Sequence, residues 1–85
     1  MKNKLKALKE KRKKTLKEFF DIFKEYGIYI DEVNNKANAE KTFYKFINCI
    51  PELKTRCYIT LLIEQIMLFE EQIQIYKKVS TLNRK

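Results

Sequence analysis

Only two residues of this chain, Gly27 and Pro51, are strong breakers of regular structure, and that fact removes most folds from consideration. A sheet built from hairpins needs turn residues at nearly every reversal, above all Gly for positive φ and Pro for a preset bend. One Gly and one Pro in 85 residues cannot serve a sandwich or a barrel, so the expected class is all-α. The same two residues cut the chain into three segments of helical length. They belong to one domain, because a chain this short buries only about 60% of its unfolded surface and cannot divide that core in two.

Periodicity fills in the segments. A first helix is expected from about Asn3 to Tyr26, along the apolar line Leu5, Leu8, Leu16, Phe19, Phe23 and Tyr26, with Gly27 in the left-handed position that ends a helix. Arg12 interrupts that line, and Leu5 with Leu8 gives the N-terminal half thin anchorage, so residues 1–17 are expected to project from the body. Residues 28–37 read as a connection in which Ile28, Tyr29 and Ile30 tuck inward. A short second helix is expected to begin at Asn38 as N-cap, with Phe43, Phe46, Ile47 and Ile50 at the i, i+3, i+4, i+7 spacing of one buried face. Pro51 ends or kinks it and suits the first position of a third helix running to about Val79. The expected arrangement is thus three helices, long at both ends and short in the middle.

The third helix carries two apolar lines. One is Ile59, Leu62, Ile66, Phe69, Ile73 and Tyr76; the other is Tyr58, Leu61, Leu68, Ile75, Val79 and Leu82, with Gln65 and Gln72 between. A helix apolar on two faces must be covered on two faces. At 1.5 Å per residue the helices are roughly 36, 20 and 42 Å long, so the first covers one line and the second only part of the other. The remainder, Ile73, Ile75, Val79 and Leu82, is the expected dimer or partner surface.

The formal net charge is +8, and its placement is more informative than its size. Residues 1–17 hold Lys2, Lys4, Lys6, Lys9, Lys11, Arg12, Lys13, Lys14 and Lys17 against Glu10 alone; they carry the whole excess, and residues 18–85 sum to zero. Sixteen Lys against three Arg, with ten Ile and six Asn, also fit an AT-rich coding sequence that loads lysine without selection for binding. Such a bias spreads lysine evenly, whereas here it is clustered as in an arm that meets a polyanion. The candidate nucleic-acid contacts are Lys4, Lys6, Lys9, Lys11, Arg12, Lys13, Lys14, Lys17 and Lys24. Lys6, Lys13, Lys17 and Lys24 line one flank of the helix, with Lys14 beside them, over about 27 Å. Lysine is a point charge, so these groups are expected to hold backbone phosphates and read little sequence; Arg12, with its planar fork, is the candidate for a more specific contact.

Catalytic chemistry is poorly supplied. The chain has no His, and Ser80 is its only Ser, which leaves no Ser-His or Cys-His pair and no imidazole ligand. A phosphate-cradling loop needs several Gly. Glu18, Asp21 and Glu25 share a helix face and resemble a divalent-cation cluster, but Lys14, Lys17 and Lys24 lie within one turn, which favours ordinary pairs such as Lys14–Glu18 and Lys17–Asp21. Glu64 reads as the solvent seam of the third helix. No enzyme, cofactor or metal is therefore expected. Cys49 and Cys57, without a secretory signal, are expected reduced and buried. Phe19, Phe23, Phe43, Phe46 and Phe69 sit on core stripes; Tyr29 and Tyr44 are reserved for a contact surface.

A helix-turn-helix aligned on Gly27 finds apolar matches at Ile22, Tyr26, Ile28 and Val33. It fails at Phe23, where a small residue is needed, and at Asp31 and Glu32, which would face phosphates. No apolar stretch long enough for a signal peptide or a membrane span appears, and a protein of the cytoplasm without membrane contact is expected. Two functions remain. The first is a small non-enzymatic accessory or regulatory protein that binds DNA or RNA through its lysine-rich helix. The alternative is a protein-binding module or inhibitor, of the size that phages and plasmids encode, acting through the apolar C-terminal helix on a larger protein partner; a homodimer and an acidic protein partner are both expected possibilities.

Overall fold

The structure is a computed structural model describing residues 2–30, 33 and 35–83, with the side chains of residues 3–30, 33 and 35–79. It contains α1 (Lys2–Glu25), α2 (Lys36–Phe46) and α3 (Leu53–Asn83), with a 3₁₀ turn (Ile47–Cys49) following α2. The long, short, long order is the one the periodicity predicts.

Gly27 ends α1 at φ +76°. The Ile28 N–H donates to the Phe23 carbonyl and the Gly27 N–H to the Lys24 carbonyl, each at 2.9 Å, the paired closure that satisfies carbonyls a helix end would otherwise leave open. Ile28 is thereby turned back against the core. Ile28, Tyr29, Ile30 and Val33 are non-helical, and the next helix among the described residues opens at Lys36, nine residues after Gly27, so Gly27 is not the turn of a helix-turn-helix.

α2 starts three residues earlier than expected. Asn35, in extended conformation (φ −150°, ψ 173°), is its N-cap, and the Asn35 side-chain oxygen accepts from the Asn38 N–H at 2.9 Å. Both asparagines suit a cap, but starting at Asn35 gives α2 a further turn while Ala39 and Phe43 still face the core.

At the second break, Pro51 holds Ile50 extended (φ −118°, ψ 88°) but is not the first residue of α3. The Glu52 carbonyl accepts the Arg56 N–H at 3.1 Å, so the helix opens at Leu53 and Pro51 stays outside it. Arg56 then reaches back across the join: its Nε donates to the Ile50 carbonyl at 2.6 Å and its Nη2 to the Ile47 carbonyl at 3.0 Å. This guanidinium ties the end of the 3₁₀ turn to α3.

The core joins Phe19 and Phe23 of α1, Val33 ahead of α2, Ala39 and Phe43 of α2, Ile50 after the 3₁₀ turn, and Ile59, Leu62, Ile63 and Ile66 of α3. α1 runs antiparallel along α3. The Tyr26 hydroxyl at its C-terminal end donates to Glu52 Oε1 at 2.9 Å, and Leu8 near its start lines a groove with Gln72, Ile75 and Tyr76. The lysine-rich half therefore lies beside α3 instead of projecting, and the molecule is a slab of 52 × 22 × 17 Å. Cys49 and Cys57 are free thiols, but both are exposed, one at the end of the 3₁₀ turn and one on the outer side of α3, which corrects their expected burial.

Candidate nucleic-acid interface

The face that α1 presents to solvent follows from the face it buries. Thr15, Phe19 and Phe23 are buried, and Leu5, Leu8, Arg12, Leu16 and Tyr26 half-buried, along one side of the helix. A threonine is tolerated there because its Oγ1 donates to the Lys11 carbonyl one turn back, at 3.0 Å, leaving no polar atom unsatisfied. With that side against α3, Lys4, Lys6, Lys9, Lys11, Lys13, Lys14, Lys17 and Lys24 are all exposed.

These ammonium groups are not neutralised within the chain. Among the described residues no α1 lysine from Lys4 to Lys24 forms an ion pair; the pair at 3.2 Å is Lys36 with Glu40 in α2. The expected Lys14–Glu18 and Lys17–Asp21 pairs do not form. Glu18 instead accepts the Tyr58 hydroxyl at 2.6 Å, a bond between α1 and α3 that raises the Tyr58 pKa above the usual phenol value, through the hydrogen bond first and then through desolvation and the nearby charge. Holding its proton against a carboxylate is what makes this phenol harder to ionise.

Arg12 is placed differently from the lysines. It lies half-buried in a groove of about 710 Å³ lined also by Asn35, Glu70, Glu71, Gln74 and Ile75. Arg12 Nε and Glu70 Oε1 are both enclosed there without a hydrogen-bond partner. The sequence carries the reason: Arg12 stands on the apolar line, so its side chain must extend along α3, whereas the lysines stand off that line.

The expected partner surface is partly rearranged. Ile73 is 3% exposed, buried with Ile59, Leu62 and Ile66 on the line α1 covers, and is no part of an outer surface. Ile75 and Val79 are exposed as expected, and the Leu82 side chain lies outside the described residues. The exposed face is longer than α2's short reach suggests, because α2 joins the core cluster and leaves the second line open. Tyr58, Leu61 and Leu68 are 46%, 55% and 51% exposed, beside Ile75 at 59%. Their shared heptad spacing with Ile75 was the signal that places them on that surface. Tyr29 and Tyr44 stand exposed, and Glu64 faces solvent.

Glu18, Asp21 and Glu25 do not assemble a cation site; among the described residues no three His, Cys, Asp or Glu side chains converge. No described helix is long and apolar enough to cross a membrane. Comparison with protein-family models, with curated proteins and with solved structures finds no match to this chain.

Proposed function

We propose that this chain is a non-enzymatic nucleic-acid-binding protein, accessory or regulatory in kind, that holds phosphates with the exposed face of α1. The observation that carries this reading is the set of eight exposed lysines between Lys4 and Lys24, none of them paired with a carboxylate among the described residues. Unpaired ammonium groups on a rigid rod bind a polyanion by releasing its counterions, and they lose no internal ion pairs in doing so. Lys6, Lys13, Lys17 and Lys24 follow the helix axis over about 27 Å, enough to track several phosphates of a duplex or a folded RNA.

Arg12, drawn into the groove beside Glu70 and Glu71, is withdrawn from that row. The contact is therefore built from point charges on phosphates, and we assign it little base selectivity. Fluorescence anisotropy with a labelled DNA duplex and a labelled RNA hairpin, titrated with salt, tests the reading. Binding at about 50 mM salt that weakens by several powers of ten by about 200 mM supports it. Absence of binding to both probes at the lower salt refutes it.

A further inference from the structure

The long helix α3 is two-faced, and its outer face has the pattern of a coiled-coil seam. Tyr58, Leu61, Gln65, Leu68, Gln72, Ile75 and Val79 succeed one another by three and four residues without a break, all of them exposed. In heptad terms Tyr58, Gln65, Gln72 and Val79 occupy the a positions and Leu61, Leu68 and Ile75 the d positions. We propose that this seam pairs with the same seam of a second copy of the chain, in a parallel, in-register two-helix coiled coil.

Charge selects the second copy and its direction. The seam has two unlike rims. On the a side stands α1, with Lys4 and Lys11 beside Gln72, Ile75 and Tyr76, and Lys14 one turn further along toward Glu18 at Tyr58. On the d side stand Glu64, Glu71 and Lys78 of α3 itself, at g positions and exposed, so that two of its three charges are acidic. A two-fold axis parallel to the helices sets the g side of one chain against the e side of the other, five residues ahead. Glu71 of the second copy then comes over Tyr76, where Lys4 and Lys11 rise, and Glu64 of the second copy comes over Phe69, toward Lys11 and Lys14. Both contacts join opposite charges, reciprocally in the two copies. An antiparallel pair would set basic rim against basic rim.

The seam's composition agrees. Gln65 and Gln72 meet their own counterparts across the axis, and such polar a layers fix register at some cost in stability. The strip from Tyr58 to Val79 is about 32 Å long and, with the α1 rim, about 20 Å wide. Roughly 600 Å² would be covered on each copy, not far below the ~800 Å² per partner of a standard interface. The rim lysines used here, Lys4, Lys11 and Lys14, are three of the eight exposed lysines, and the pairing leaves Lys9 and the whole outward row, Lys6, Lys13, Lys17 and Lys24, for phosphates.

Analytical ultracentrifugation of the full chain at about 50 μM tests the pairing, with Leu68→Glu/Ile75→Glu as the seam variant. The wild type is expected to sediment as a dimer and the variant as a monomer of unchanged far-ultraviolet helical signal, its dimer constant weakened by about a hundredfold or more because charge is buried at two d layers. If that variant loses helical signal, Gln65→Lys/Gln72→Lys puts charge into two a layers at already polar positions and is expected to give the same monomer. Direction is read from Gln65→Cys in a Cys49→Ser/Cys57→Ser background. Oxidation is expected to link the dimer covalently, since parallel pairing sets residue 65 against itself, while an antiparallel register centred on the seam holds the two copies of residue 65 seven residues, or about 10 Å, apart along the axis, beyond the ~7 Å Cα separation a disulfide can span. A wild type monomeric at about 100 μM, a folded seam variant that still dimerises, or a dimer that Gln65→Cys fails to link would each overturn the proposal.

Discussion

Neutralising the outward row of α1 separates a binding face from a merely solvated one. Lys6, Lys13, Lys17 and Lys24 are exposed and unpaired, so Lys6→Gln/Lys13→Gln/Lys17→Gln/Lys24→Gln removes no ion pair within the fold. Glutamine matches lysine closely in helix propensity, and each exposed substitution is expected to change stability by no more than about 0.5 kcal/mol. The consequence for binding is larger. Each phosphate contact contributes about 0.9 to the slope of log K against log salt on duplex DNA, so losing four lowers that slope by about 3.6. Over a fourfold rise from about 50 to 200 mM salt, the wild type is then expected to lose roughly a hundredfold more affinity than the variant. Anisotropy titrations at three salt concentrations measure the slopes, with thermal melts by circular dichroism as the control for fold. A variant with unaltered slope and affinity would refute the reasoning, because the exposed row would then contribute no phosphate contact.

Ile73→Ala is expected to cost about 2–4 kcal/mol, because that side chain is buried against α1, whereas Ile75→Ala at a half-exposed site is expected to cost under about 0.5 kcal/mol, both measured by urea unfolding dilute enough to hold the chain monomeric. Arg56→Met removes two charge-assisted bonds from the Ile47 and Ile50 carbonyls and is expected to lower stability by about 2 kcal/mol in the same assay. For Tyr58 the sign follows from a folded-state pKa raised above the usual 10.0: its bond to Glu18 contributes fully below that value and is lost as pH rises through the elevated one. A near-ultraviolet tyrosinate titration is expected to show Tyr58 ionising above the ordinary phenol range, and Glu18→Gln to return it toward that range.

What the sequence determined by itself was local. Scarcity of turn residues set the all-α class, and the three- and four-residue spacing of Leu, Phe and Ile set which side of each helix is apolar. Gly27 set where α1 ends, since few other residues adopt φ near +76° at so small a cost. The exposure of the lysines was equally legible, because they stand off the apolar line. Where two local solutions were of equal quality, only the tertiary structure decided. Asn35 and Asn38 are both competent caps, and Asn35 holds the position. Glu18 had Lys14 within one turn yet bonds Tyr58, forty residues away, because antiparallel packing brings that hydroxyl to it. Arg12 stands on the apolar line of α1, and the packing of α3 along that side draws it into a groove beside Glu70 and Glu71. The two apolar lines of α3 are nearly equivalent in sequence, and periodicity states that both need cover without stating which receives it. That choice depends on the direction from which α1 and α2 approach, a property of contacts between residues far apart in the chain, and it buries Ile73 while leaving Leu61, Leu68 and Ile75 facing outward.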